Sequence, residues 1–536
     1  MKKFFFRISL LILSLFLVQC AKRGTPTGGK KDSIAPKFVN ATPENFTTNF
    51  NKKEIRIYFN EYIKLDKPQQ QIIISPPMDP KPDISPLGTP NKYVRIRISD
   101  TLQKNTTYAI NFGNSIVDNN EGNALPFFKY VFSTGSYIDS LSVSGQVKDA
   151  QLKEPEPYIS VMLYEMDSTF TDSLVYKQQP RYITSTLDSL TTFTLSNLKK
   201  GTYQLVALKD QNNNYKYNPG KEKIGFIDHP VQIPTDSTYT ITLFTEELPF
   251  EPQRPSLEGQ QKILLGYKGK PDLDSISIVP ISATPADFSY RITKVPDKDS
   301  LYIWYKPNIE KDSLLLKLIT PAIQDTLITR ITDKPLDSLN VSAEPSGNID
   351  FDKDFVLKAN TPILKYNPDF IKILDKDSTA VEFSVEEKPY DNSLHVKFNK
   401  KENENYNITL LPGAITDFFE KTNDTIKKSL KTKALADYGN VALTLQNVKS
   451  YPIIVQLTDE KSKVKSEKYS TSSNKLRFEY LNPGKYLIRI IYDSNSNGKW
   501  DTGNYLKKRK PEQIIYFPDT LEVRSNWDIN QTFILK

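Results

Sequence analysis

The chain has 536 residues, with 71 Lys and Arg against 63 Asp and Glu, two histidines and a formal net charge of +8. Over that length the excess is mild, which argues for solubility and against a polyanion-binding groove. A single cysteine excludes an internal disulfide framework, and at about 100 residues per β-sandwich the chain is long enough for about five such domains.

Residues 1–19 read as an export signal. Lys2, Lys3 and Arg7 precede an uncharged run from Ile8 to Val18, eleven residues and too short to span a bilayer. The run stops at Leu17, Val18, Gln19 and Cys20. These residues resemble the end of a bacterial lipoprotein signal, and the resemblance implies that Cys20 is acylated and becomes the mature first residue. An ordinary secretory signal with an incidental cysteine is the alternative. Loss of Lys2, Lys3 and Arg7 would take the charge from +8 to +5 (8 − 3). Two or three acyl chains make attachment effectively permanent, whereas one anchors only marginally. Residues 20–33 form a Gly/Pro-rich, basic tether, with Lys22, Arg23, Lys30 and Lys31 among Gly24, Pro26, Gly28 and Gly29, the composition of a flexible spacer. Bacteroidota lipoproteins of the outer cell surface often carry acids just after the cysteine, and none stands here. The resemblance thus implies an outer-membrane lipoprotein, facing the periplasm in preference to the cell surface. Such a protein meets no nucleotide and no nucleic acid.

From Ile34 onward short alternating runs are separated by Pro, Asn, Asp and Gly, and no helical period appears. The expected fold is all-β, a tandem of sandwiches. In residues 34–135, runs at 55–59, 93–98, 108–112 and 130–132 alternate as strands with one buried face. Ala35-Pro36, Ala41 to Asn45, Phe59-Asn60-Glu61, and Asp118 followed by Glu121-Gly122-Asn123 resemble the bacterial Ig-like domain first known from S-layer proteins. The resemblance implies that Asp118 and Asn123 shape a loop. In residues 136–250, Leu141 to Val147 and Phe193 to Leu205, with Gly201 and Tyr203, resemble the transthyretin-like or carboxypeptidase-regulatory-like sandwich. Residues 251–336 show strands near 275–279, 301–305 and 314–319, a β-sandwich of unknown type.

Residues 337–434 and 435–536 read as degenerate copies of the first two modules. Asn403 to Leu410 and Ala414 to Asp417 echo Asn105 to Phe112 and Ser115 to Asp118, with one residue inserted. Leu476, Phe478, Leu481, Gly484, Tyr486 and Asp493 reproduce Phe193, Leu195, Leu198, Gly201, Tyr203 and Asp210 at a constant offset of 283. Short joints near Gly135, Phe250 and Leu336 predict modules strung end to end as a semi-rigid rod.

Little in the chain points to catalysis. His229 lies in a turn and His395 in a strand, without metal-ligand neighbours, and no phosphate loop or serine elbow occurs. The expectation is a non-enzyme, although a carboxylate-based hydrolase needs no sequence spacing and stays open. One loop has cation-ligand spacing. Asp493, Asn495, Asn497, the carbonyl of Lys499 and Asp501 stand at positions 1, 3, 5, 7 and 9, with Gly498 at the sharp turn. Asn504 replaces the usual bidentate acid at position 12, so the site would be a weak structural one for Ca²⁺. An Asn/Asp-rich connection held by Asx-turns is the alternative, and it is the preferred reading for the earlier copy, Asp210 to Asn218. Asp-Ser or Asp-Thr followed by Ile, Leu or Thr occurs fifteen times. The motif resembles the O-glycosylation acceptor of Bacteroidota envelope proteins, which would place glycan on exposed copies such as Ser33 and Ser189; a plain turn-to-strand junction is the alternative.

These readings predict a lipid-anchored outer-membrane scaffold or binding protein, an accessory subunit of an envelope protein complex for outer-membrane assembly or secretion. Its rivals are a cell-surface glycan-binding protein using exposed aromatics such as Trp304, Trp500 or Trp527, and the hydrolase.

Overall fold

The computed structural model describes residues 32–186, 191–281 and 285–535. The signal segment, Cys20, the tether up to Lys31 and Ser189 lie outside the described residues. The regular secondary structure of the described residues is nearly all strand; the two α-helical pieces among them, Pro68–Gln71 and Leu174–Lys177, are single turns. It divides into two compact units.

The first unit takes the chain up to Ser142 together with Arg181–Leu187 and Leu195–Lys200. One sheet runs in the order Phe38–Thr42, Glu54–Leu65, Asn91–Arg97, Asp83–Ser85, with Ile116–Asp118 added to Glu54–Leu65. The other is Ile73–Ser75, Thr107–Asn111, Lys129–Ser133. The period of two puts Ile55, Ile57, Phe59 and Ile63 on the inner face of the first sheet, opposite Tyr108, Ile110, Tyr130 and Phe132 of the second. Tyr108 stacks on Phe132 with centroids 5.3 Å apart. The strand Tyr182–Ser185, from farther along the chain, joins this unit through Ile183, whose N–H donates to Ser75 Oγ at 3.1 Å.

The second unit begins with a parallel ladder between Leu141–Asp149, from Ser144 on, and Thr238–Thr245. Gly201–Leu208 pairs with Ser160–Glu165 on one side and with Lys223–Phe226 and Val231–Ile233 on the other. A third group packs the sheet Glu251–Pro252, Lys262–Lys268, Ser300–Lys306, Ser289–Lys294 over Ser277–Pro280, Ser313–Ile319, Gln324–Arg330. Ile263, Leu265, Leu301, Ile303, Leu314 and Leu316 fill the space between them.

The last two groups repeat earlier topologies. Val341–Glu344, Phe355–Ala359, Ser393–Phe398, Phe383–Lys388 have the strand order of the first sheet of the first unit. Ile371–Leu374, Asn405–Leu410, Ile426–Lys431 reproduce its second sheet, and the pairing of Ile363–Tyr366 with Ile415–Asp417 matches that of Glu54–Leu65 with Ile116–Asp118. In the final group Gly439–Gln446 runs parallel to Asp528–Ile534, and Gly484–Tyr492 pairs with Ile453–Thr458, Ile514–Tyr516 and Leu521–Val523. That is the pairing scheme around Gly201–Leu208. Two dissimilar sandwiches therefore recur as a pair, separated by the third group.

Candidate functional site

Asp493 follows the strand Gly484–Tyr492 and is buried. Its carboxylate accepts the N–H of Asn497 at 3.1 Å and of Gly498 at 2.8 Å. Gly498 takes φ +73°, the left-handed conformation that glycine adopts without a Cβ penalty. Asn495 Oδ1 accepts from Asn497 N–H at 3.2 Å and Asn497 Oδ1 from Lys499 N–H at 2.8 Å. Both amides then donate through Nδ2 to Asp501 Oδ2, at 2.6 and 2.7 Å. Each amide is fixed at both ends. Reversing one would set an NH₂ against an N–H and an oxygen against a carboxylate. The five predicted positions are thus brought together in one loop, where the side chains of Asp493, Asn495, Asn497 and Asp501 bond to one another and to the loop backbone in Asx-turns. The expected outcome is coincident melting curves in millimolar calcium and in chelator. A calcium-dependent rise of several degrees in Tm would assign the loop to a cation instead.

Glu512, which the spacing does not reveal, closes this loop. Its carboxylate accepts from Ser494 N–H at 2.6 Å, Ser494 Oγ at 2.7 Å and Asp501 N–H at 3.0 Å, while its carbonyl accepts from Trp500 Nε1 at 3.0 Å. The earlier copy is built alike. Asp210 accepts from the N–H of Asn212 and Tyr215, Tyr215 takes the glycine position at φ +59°, and buried Glu222 accepts from the N–H of Gln211 and Asn218. The Asp-to-Glu separation is 12 residues in the first copy (222 − 210) and 19 in the second (512 − 493), so seven residues are inserted in the second. That break in the constant offset is the signal that marks the segment.

The insertion is a hairpin, with Asn504 and Arg509 exchanging backbone hydrogen bonds at 2.7 and 3.0 Å. Within the second unit it seats on the group around Gly201–Leu208. Thr502 Oγ1 donates to the carbonyl of Thr245 at 2.6 Å, and Tyr505 N–H to Glu246 Oε1 at 2.5 Å. The Tyr505 side chain is completely buried, edge-on to Phe226 at 5.4 Å and tilted against Tyr176 at 6.3 Å. Burial, reinforced by the Asp172 charge, pushes its hydroxyl far above the usual phenol range. Lys508 Nζ meets Asp172 at 2.5 Å and lies over the Tyr505 ring. Lys510 meets Asp228 at 2.7 Å, and hydrogen bonds from Lys510 and His229 hold the Asp228 carboxyl down at about 2. Gly503 fits because it lacks a Cβ, which would fall 2.7 Å from the Phe244 ring and from the Arg509 carbonyl. Arg489 reaches the carbonyl of Gln151 at 3.2 Å beside the same contact.

This corrects the end-to-end rod expected from the short joints: within the second unit the final group returns to the group around Gly201–Leu208. The intervening groups touch as well. Lys294 N–H donates to the carbonyl of Tyr390 at 2.7 Å. Tyr438 Oη and Asn482 Nδ2 donate to Asp350 at 2.7 and 3.1 Å, and Phe351 stacks on Tyr480.

The remaining candidates fall apart in space. Trp304 is buried, not exposed, and donates through Nε1 to Thr293 Oγ1 at 3.0 Å. Trp500 is half-buried, and Trp527 alone of the three is exposed, beneath Arg524. His229 and His395 each face one aspartate, Asp228 and Asp354. Among the described residues no three His, Cys, Asp or Glu side chains gather as a metal site. Ser33 is exposed. Asp118 accepts four successive N–H groups, those of Asn120, Glu121, Gly122 and Asn123, so it organises a loop.

A family model described as a bacterial Ig-like domain matches residues 32–134. No curated protein matches the chain. Among solved structures it is similar to domains 1–6 of the surface layer protein SbsC, at 10% identity over 91% of this chain and 67% of that one, with a TM-score of 0.16. It is also similar to the major pilin subunit BcpA of Bacillus cereus, at 10% identity over 74% and 99% with a TM-score of 0.14. Tandem Ig repeats of Dlar give 15% over 35% and 98%, with a TM-score of 0.12. Scores this low add nothing to the reading of the individual modules. The chain is a multi-domain, nearly all-β protein that carries a bacterial Ig-like domain in its N-terminal part.

Proposed function

We propose that this protein is a non-catalytic scaffold of the bacterial outer membrane, acylated at Cys20 and facing the periplasm, in which five sandwich modules (34–135, 136–250, 251–336, 337–434 and 435–536) hold an envelope protein partner. The observation that carries the reading is the seating of the 502–510 hairpin on the transthyretin-like group. Burying Tyr505 across modules some 250 residues apart gives the second unit a fixed set of surfaces, which a scaffold needs and a flexible string lacks. The partner complex we favour is one for outer-membrane assembly or secretion, and exposed Ser33 is the first position where glycan would be sought. Of the aromatics named for the glycan-binding rival, Trp304 lies inside the protein and Trp527 is exposed.

The test is crosslinking of intact cells, affinity purification through a C-terminal tag in mild detergent, and mass analysis of the mature N-terminal peptide. A stoichiometric envelope partner and an acylated Cys20 are expected. Recovery of free monomer alone would overturn the scaffold, and an unmodified cysteine would overturn the anchor.

A further inference from the structure

We propose that the cleft between the third and fourth groups of the second unit is a docking groove for an extended segment of a partner protein, which adds as a strand to Ser289–Lys294. This strand is the outermost of its sheet and pairs only with Ser300–Lys306. Its last residue shows which way its backbone faces. Lys294 N–H points away from Ser300–Lys306 and donates to the carbonyl of Tyr390 at 2.7 Å. Backbone groups alternate sides along an antiparallel strand, so the N–H and C=O of Ile292 and Tyr290 point to the same open side as Lys294. Tyr290 C=O is taken by the neighbouring Arg291 guanidinium at 3.1 Å. Among the described residues the two amides have no backbone acceptor on that side. The Tyr390 contact is therefore the first rung of a ladder that a second strand could continue.

The space beside those amides is a cleft of about 580 Å³, inside the roughly 300–1,000 Å³ range of ligand clefts. Ile276, Phe288 and Ile292 line one wall, and Leu364, Pro389 and Tyr390 the other. Leu364 is 37% exposed, so its apolar side chain is open to an incoming one. Several charged groups at the groove already have partners: Lys294 is paired with Asp391 at 3.1 Å, the Arg291 guanidinium donates to the Tyr290 carbonyl at 3.1 Å, and Asp274 accepts from Tyr390 Oη at 2.9 Å. An occupant recognised here is thus extended, uncharged in its central residues and alternately apolar, held by main-chain hydrogen bonds along Tyr290 and Ile292.

The proposal rests on the scaffold reading for the existence of a natural partner, but its test does not. The probe is a fluorescein-labelled peptide, Lys-Thr-Val-Thr-Val-Thr-Lys, added to the purified chain lacking residues 1–20, with the same peptide N-methylated at alternate residues as control. Saturable binding is expected, with slowed amide exchange across residues 289–294 of the unsubstituted chain. Leu364→Arg, which puts a bulky cation in the groove, should weaken binding by about tenfold or more, as should N-methylation. No saturable binding, equal binding of the N-methylated peptide, or unchanged exchange across 289–294 would each overturn the groove, and the exchange measurement does not depend on the variant folding. A cellular partner captured equally well by the Leu364→Arg chain would also sink the groove while leaving the scaffold standing. Peptide binding with no partner captured would do the reverse.

Discussion

Replacing Tyr505 by Ala should release the final group from the one around Gly201–Leu208 while both stay folded. The ring is completely buried, and truncating a buried aromatic to Ala costs about 3–5 kcal/mol. The other contacts at the hairpin are weaker. The Lys508–Asp172 and Lys510–Asp228 pairs are a third or more exposed on nearly every side, and exposed pairs contribute about 0–1 kcal/mol each. Tyr505 N–H still donates to Glu246 in the variant, so the effect isolates the side chain. Tyr505→Phe should be almost neutral, because the hydroxyl makes only a 3.5 Å contact with Asp172. All three tryptophans, Trp304, Trp500 and Trp527, belong to the second unit, and Trp500 lies five residues before Tyr505. Tryptophan fluorescence during thermal unfolding should therefore pass from one transition to two in Tyr505→Ala, and limited proteolysis should newly cut within 502–510. Gly503→Ala should act in the same direction, since its Cβ collides with Phe244. A single unshifted transition in Tyr505→Ala would mean that the hairpin holds nothing together.

Why the hairpin was hidden, while the modules were not, has a physical cause. Strand faces are set by a period of two, which survives divergence because a one-residue slip would expose every apolar side chain. Ile55, Ile57 and Phe59 are legible for that reason, and the offset of 283 aligns the strand Gly201–Leu208 with Gly484–Tyr492, which have matching partners. The loop at Asp118 is expected from the resemblance to the bacterial Ig-like domain, and its counterpart Asp417 accepts from Phe419 and Lys421 in the same way although two phenylalanines follow it. Tyr505 and Glu512 sit in an irregular insertion with no period, and what buries Tyr505 lies more than 250 residues away. Trp304 fails for a related reason. Alternation assigns Leu301, Ile303 and Tyr305 to the inner face and Trp304 to the outer one, and the outer face is covered by Phe419 of the following module at 6.2 Å, which no local pattern encodes. The spacing at Asp493 to Asp501 is legible but admits two chemistries. The residues that bind a hard ion through side-chain oxygens are the same ones that close Asx-turns, so the spacing alone does not separate the two, and the calcium melting experiment does.

Asp118→Ala should destabilise the first unit by about 3 kcal/mol, the upper end for hydrogen bonds to a charged group. One carboxylate accepts from Asn120, Glu121 and Gly122 on Oδ1 at 2.7–3.0 Å and from Asn123 on Oδ2 at 2.8 Å. Removing it strands four donors that only water could satisfy, next to the pairing of Ile116–Asp118 with Glu54–Leu65. The same geometry fixes the sign of a pH dependence. Burial pushes the carboxyl up, the four N–H groups outweigh it, and the folded value is lowered. The folded state thus binds this proton more weakly than the unfolded chain does. Its stabilisation is complete above the unfolded value of about 3.9 and is lost as pH falls through the lower folded value. Asp118→Asn keeps an oxygen for part of the loop but cannot titrate, so its stability should be lower than wild type at neutral pH and should converge on it in acid. Because the first unit holds no tryptophan, the measurement is hydrogen exchange across residues 116–128 of the whole chain at several pH values. Equal protection in wild type and Asp118→Asn at neutral pH would show that the loop is held by its neighbours rather than by the carboxylate.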